Sequence, residues 1–273
     1  MVKDKMQKWD IVTSSIIGKS HESSKLPNQD SLAIFPENMV SGTPIIATIS
    51  DGHGAERYHR SHLGSNLATL TSIAYIKLLL ERFQRDNIKF QGIRDYCIEK
   101  FPQKLIQFWR RAVRESIGKY PYKEREENIY LPYGCTLLGV VIFNNILITF
   151  QLGDGDILFV QSTLEVSKDF GRDQNLIANE TYSLCTNDAI KNFKVNVRRI
   201  DYDPPDLIII STDGYSNSFK DDDSFYKAGK DFLSIIQNDG ILEIQDNLKN
   251  WLKETSDQGS GDDTTMILLH RKK

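Results

Sequence analysis

The chain has 273 residues, with 34 basic and 37 acidic side chains for a formal charge of −3, 40% hydrophobic and 10% aromatic. That is the balance of a soluble globular protein, and with no block of about five or more basic residues it lacks the electrostatic footprint of nucleic-acid or anionic-membrane binding. Its longest apolar runs, such as 140–143 and 208–210, fall far short of the ~18 to 20 residues of a membrane span.

The start MVKDKMQKWD is charged and leads into no apolar signal region. Cys97, Cys135 and Cys185 form no C-x-x-C pair, so we expect reduced core thiols in a cytoplasmic protein rather than a disulfide or cysteine-metal framework. No Pro-, Gly- or Ser-rich linker and no internal repeat divides the chain, and 1–273 reads as one domain. Apolar runs bounded by turn residues predict strands at 11–17, 32–35, 45–49, 137–143, 146–151, 157–160, 207–211 and 265–269. Asn144-Asn145 fits a two-residue hairpin turn, because Asn tolerates the positive φ such a turn requires.

Between the third and fourth strands, Leu63, Leu67, Leu70, Ala74 and Leu78 recur with helical spacing, and so do Phe101, Leu105, Phe108 and Ala112. Two amphipathic helices are expected on one face of a sheet. A later pair, near 231–237 and 242–251, would cover another face. Strands such as LLGVVIF, apolar on both sides, imply a sheet covered on both faces. Strand runs with helices in separate blocks predict an α+β layered fold rather than an alternating parallel one.

Several patterns carry no chemistry. Gly18-Lys19-Ser20 resembles the end of a phosphate-binding P-loop, but Thr13 stands where that motif needs Gly. His21-Glu22 opens like a zinc-protease motif, yet Lys25 occupies the second histidine position. His59 and His62 share a helix face without a third ligand, 221–223 reads as the acidic first turn of a helix, and His270 as a surface residue.

The chemistry lies at strand ends. IIATIS runs into Asp51-Gly52, ILITFQLG into Asp154-Gly155, and DLIIIST into Asp213-Gly214. One Asp-Gly after a strand is an ordinary turn. Three of them, with Asp262-Asp263 opening the strand TTMILL and with Asp30, form an acidic cluster if neighbouring strands run antiparallel. Such a cluster stays ionised only beside a counter-charge, and hard oxygen donors suit Mg²⁺ or Mn²⁺.

At these residues the chain resembles the metal-dependent Ser/Thr protein phosphatases of type 2C. The motifs follow in the family's order: N-Q-D at 28–30, D-G-H-G at 51–54, G-C-T at 134–136, L-G-D at 152–154, S-T-D-G at 211–214 and G-D-D-T-T at 261–265. The resemblance implies a four-layer αββα sandwich of two antiparallel sheets flanked by helices, with a centre of two Mn²⁺ or Mg²⁺ ions and a third, weaker site. By motif position, Asp51, Asp213 and Asp262 would hold the first ion. Asp51, the carbonyl of Gly52 and Gln29 would hold the second, and Asp154 with Asp213 the third. Asp30 would act through water. His53 would be the general acid for the leaving alkoxide, and an imidazole titrating near neutral pH suits that task. The substrate would be a phosphorylated protein, with a Ser/Thr kinase as a candidate partner, and 215–260 would form a variable flap that tunes substrate choice.

The match departs at two positions of the first motif and at one after S-T-D-G. The family pattern Arg-x-x-Asn-Glu-Asp becomes Lys25 to Asp30 through Gln29. Lys25 offers a mobile point charge where Arg grips phosphate with a planar fork. Gln29 keeps a carbonyl oxygen but removes a negative charge from the second site. Asn217 stands where the family often has Asp. His21 resembles an upstream histidine of a bacterial branch and is expected to contact phosphate or leaving group, the alternative being an exposed loop histidine. Two other functions stay open: a pseudophosphatase acting as a phosphoprotein-binding module, and hydrolysis of a small phosphorylated metabolite.

Overall fold

The computed structural model describes residues 8–37, 44–122, 127–171 and 181–272. The charged start at 1–7 lies outside them. The first half runs β1 (Lys8–Ile16), α1 (Lys19–Ser24), β2 (Ser31–Phe35), β3 (Ile45–Ser50), α2 (Ser61–Arg85), α3 (Phe90–Glu99), α4 (Phe101–Lys119) and β4 (Leu137–Phe143). There follow β5 (Ile146–Leu152), β6 (Asp156–Val160), β7 (Val166–Lys168), α5 (Ala189–Asn192), β8 (Lys194–Arg199), β9 (Leu207–Ser211), α6 (Asp213–Ser216), α7 (Asp222–Asp239), α8 (Ile241–Gln258) and β10 (Thr264–Lys272).

The strands form two sheets, ordered β1-β10-β9-β6-β7 and β2-β3-β4-β5-β8, with every described pairing antiparallel. Strand alternation explains the layering. In β4, Leu138, Val140 and Ile142 join Ile157, Ile208, Ile210 and Ile267 in a core between the sheets. Leu137, Val141 and Phe143 face the other way, onto Phe101, Leu105 and Trp109 of α4. On the far side, Leu158, Ile209 and Leu268 pack under Phe232, Leu233, Leu248 and Leu252 of α7 and α8. The result is the expected αββα sandwich. The Asn144-Asn145 turn has φ values of 47° and 59°, as the hairpin requires.

The structure corrects three expectations. First, α2 forms where predicted but turns its predicted stripe outward: Leu63, Leu70 and Leu78 are 36%, 53% and 57% exposed. The buried face carries Gly64, Ser65, Ala68, Thr69 and Ser72, then Tyr75, Ile76, Leu79 and Phe83. Small residues let the helix lie close to its neighbours: a Cβ on Gly64 would meet the carbonyl oxygen of Tyr133, in the turn before β4, at 2.0 Å. Among the described residues α2 alone is long and apolar enough to cross a bilayer by length and composition, with half of that window buried inside the fold. Second, the short edge strands β7 and β8 and the six-residue α1 escape the pattern reading, since KVNVRR carries too little apolar alternation. Third, His270 is only 20% exposed and sits 3.9 Å from Asp10. Residues 215–260, expected as a flap, run through α7 and α8. Asp221 caps α7 by accepting from the Ser224 amide at 2.9 Å, with Asp222 and Asp223 in the first turn.

Candidate metal centre

Antiparallel pairing decides where the motifs meet. β3 and β5 both run antiparallel to β4, so Asp51 beyond β3 and Asp154 beyond β5 emerge on one edge. In the other sheet, the end of β9 lies beside the start of β10, with Ser211 opposite Met266. Asp30 immediately precedes β2, whose Ser31 pairs with Ser50. All the motif carboxylates therefore reach the same rim of the sandwich.

Asp51, Asp154 and Asp213 converge there, with one carboxylate oxygen from each within 4.8 Å of the others. The peptide around Asp51 is fixed by Thr136 of the G-C-T motif, whose hydroxyl accepts from the Asp51 amide at 2.9 Å and whose amide donates to the Asp51 carbonyl at 2.8 Å. The Asp213 carboxylate accepts from the Asn217 side-chain amide at 2.9 Å. Burial raises the pKa of Asp51 well above the usual carboxylate range, and the charges of Asp30 and Asp213 add to it. Asp213 is pushed up to about 6 by burial and by Asp154. Burial also raises Asp154. Like charges gathered in a partly dry site resist ionisation unless a cation joins them.

Two buried oxygens sharpen the point. Gln29 Oε1 and Asp30 Oδ1 have no hydrogen-bond partner among the described residues, although buried acceptors are ordinarily satisfied. Gln29 is 7% exposed, and a Cβ on Gly54 would sit 3.7 Å from its Oε1, so that oxygen points toward the D-G-H-G turn. The other oxygen of Asp30 accepts from Thr212 at 2.7 Å, and Thr212 accepts in turn from the Thr265 amide. Burial, with the charges of Asp263 and Asp213, raises Asp30 against the opposing Thr212 bond. A ring of carboxylates with an unsatisfied amide oxygen beside it fits hard divalent cations.

Gly52 needs its lack of a side chain, since a Cβ would meet the Gln29 carbonyl oxygen at 2.7 Å. Its amide donates to that oxygen at 3.1 Å. His53 donates its amide to the Gly134 carbonyl at 3.1 Å and sets its ring edge-on to Tyr58, centroids 4.8 Å apart. Burial, then the charge of Arg57, lowers its pKa to about 4. The expectation that it titrates near neutrality is thus corrected, because the ring sits in the protein rather than in water.

Asp262 is placed differently from the other carboxylates. It is exposed, and its grouping is with His21 and Asp263 rather than with the Asp51 ring. One of its oxygens accepts from the Asp263 amide at 2.9 Å. Its charge still reaches Asp213. His21, expected on phosphate, places Nδ1 2.8 Å from Asp263 Oδ2. Lys25 is exposed and takes a left-handed backbone, φ 56°, at the end of α1. The sequence places Asp263 in the acidic cluster but assigns it no role of its own; it is 3% exposed and accepts from Gly18, His21 and Gln29. Its signal was its position next to Thr264, the first residue of β10.

The comparisons with known proteins agree with the fold. The family model described as Protein phosphatase 2C matches residues 17–253. No curated protein sequence matches the chain. Among solved structures, the serine/threonine phosphatase Stp1 from Staphylococcus aureus shares 15% identity, with 96% of this chain and 95% of that one covered and a TM-score of 0.61. The catalytic domain of the serine/threonine protein phosphatase PstP, solved with two manganese ions, gives 15% identity, 98% and 100% coverage and 0.59. PppA, a regulatory component of the type VI secretion system in Pseudomonas aeruginosa, gives 14%, 98%, 99% and 0.57. At these identities the likeness to solved structures is one of fold.

Proposed function

The chain belongs to the protein phosphatase 2C family, and from that premise we propose that it is a metal-dependent phosphatase of phosphoserine and phosphothreonine in proteins, working in the cytoplasm opposite a Ser/Thr kinase. The observation that carries this reading is the partly buried ring of Asp51, Asp154 and Asp213 beside the unpartnered oxygen of Gln29. Asp51, Asp213 and the free oxygen of Asp262 would hold one Mn²⁺ or Mg²⁺. Asp51, the Gly52 carbonyl and Gln29 would hold another, and Asp154 with Asp213 a third. When bound, such ions supply a water of lowered pKa and a clamp on the phosphoryl oxygens.

The protein's own groups do the rest. Thr136 fixes the backbone that carries Asp51, and Asn217 donates to the Asp213 carboxylate. Asp30, with its unpaired Oδ1, orients water at the rim. Lys25, exposed at the end of α1, offers the phosphate a mobile positive charge, and His21 lies one helical turn before it. His53 is neutral in the metal-free site, and a phosphate dianion beside it acts against Arg57 and favours the protonated ring, which can then give its proton to the leaving alkoxide. The lost charge at Gln29 supports a second reading, a catalytically weak module that binds phosphoprotein.

Phosphate release from a phosphothreonine peptide separates the two. The reading expects release with Mn²⁺ or Mg²⁺ that EDTA and Asp213→Ala both abolish. Binding of the peptide without release at millimolar Mn²⁺ favours the module, and release confined to small phosphorylated metabolites contradicts a protein substrate.

A further inference from the structure

The peptide of Gln29 is gripped from both sides. Its amide donates to Asp263 Oδ2 at 2.6 Å. Its carbonyl accepts from the Ser65 hydroxyl at 2.5 Å and from the Gly52 amide at 3.1 Å. Both backbone groups of Gln29 are thus satisfied, while its buried side-chain oxygen Oε1 has no hydrogen-bond partner among the described residues. Ser65 lies on the buried face of α2, and Asp263 on the last turn before β10, so two separate layers of the sandwich converge on one residue.

Asp263 is suited to the task by its chemistry. Its side chain is 2% exposed, and its oxygens accept from the Gly18 amide at 2.7 Å and from His21 Nδ1 as well as from Gln29. Three donors, two from the start of α1 and one from Gln29, need acceptors on both oxygens. An asparagine offers one acceptor and one NH₂, so it sets a donor against a donor and orphans an N–H. The approach is close: a Cβ on Gly18 would meet the Asp262 carbonyl carbon at 2.2 Å. His21, by donating a hydrogen bond from Nδ1 to this carboxylate, helps hold Asp263 against Gln29.

We infer that Asp263 and Ser65 are positioning residues that brace the Gln29 peptide between them and so fix its Oε1 as a cation ligand, a brace that replaces the grip a charged side chain at 29 would supply. The inference rests on the metal-dependent reading above. With a neutral amide, attraction to the ion no longer draws the ligand into place, so the protein must hold it there beforehand.

Isothermal titration of the full-length metal-free chain with Mn²⁺ tests this without recourse to activity. Wild type is expected to bind two ions tightly, with the Asp154 site weaker. Asp263→Asn and Ser65→Ala should each weaken one ion at least tenfold and leave the other within twofold, with the far-ultraviolet circular dichroism unchanged. In a Gln29→Ala background the same substitutions should add less than twofold, because the ligand they position is gone. Wild-type affinities for both ions in a folded Asp263→Asn overturn the inference, as does an effect that multiplies fully with Gln29→Ala. If Asp263→Asn does not fold, Ser65→Ala decides in the same way. A wild-type chain that takes up no Mn²⁺ contradicts instead the metal-dependent reading itself.

Discussion

Asp213 shows how a single carboxylate carries both the cost and the use of the site. Burial and Asp154 push it up to about 6, above the ~3.9 of an unfolded aspartate. A group whose folded pKa is raised contributes its stability below the unfolded value and loses it as pH climbs through the folded one. In the metal-free protein that loss falls between about pH 4 and 6. His53, pushed down to about 4, acts in the opposite sense, losing stability as pH falls through the same window, so a bare pH profile mixes the two. A substitution isolates the carboxylate. Asp213→Asn should raise the Tm of the metal-free chain at pH 7.5, and the rise should shrink toward zero by pH 4.5. An equal Tm for both proteins at pH 7.5 would mean that the ring carries no repulsion. Added Mn²⁺ should reverse the order, since only wild type gains a ligand.

At the scale of elements, α2 shows where sequence periodicity misleads. Its leucines mark a stripe at helical spacing, and the helix turns Leu63, Leu70 and Leu78 of that stripe to solvent, while the buried face carries small residues such as Gly64, Ala68 and Ser72, with Gly64 close against the turn before β4. Packing distance, which no single helix records, chose the face. Leu70→Gln, at an exposed position, should change stability by no more than about 0.5 kcal/mol. Leu79→Ala, at a position 4% exposed, should cost about 2 to 5 kcal/mol in chemical denaturation. Equal costs would restore the leucine stripe as the packed face. The core strands were legible, since runs such as LLGVVIF bury both faces and need no partner's sequence to be read. The edge strands β7 and β8 and the short α1 were not, because each is held chiefly by neighbours distant in sequence. The site was legible in its ligating carboxylates, which sit in Asp-Gly turns after apolar strands. Thr136, Ser65 and Asp263, which hold those ligands in place, act through backbone hydrogen bonds that span 36 to 234 residues of sequence; Thr136 and Asp263 lie in motifs, but no local pattern announces their pairings, and nothing local marks Ser65.

For the whole molecule, function follows from how the two sheets stack. Each sheet alone would carry two acidic turns on a rim: Asp51 and Asp154 on one, Asp213 and Asp262 on the other. Packing the sheets through the Ile157, Ile208, Ile267 and Val140 core brings the rims together, and the Asp30, Thr212 and Thr265 chain ties them across the seam. The outer helical layers complete the arrangement from opposite sides, with α2 supplying Ser65 and α8 packing along β1 behind Gly18. The most direct test of this account is crystallographic: diffraction from Mn²⁺-soaked crystals at the manganese absorption edge. The account predicts anomalous peaks on both sides of Asp51, one toward Asp213 and one toward Gln29 Oε1. An empty rim, or a peak only among His21, Asp262 and Asp263, would contradict it.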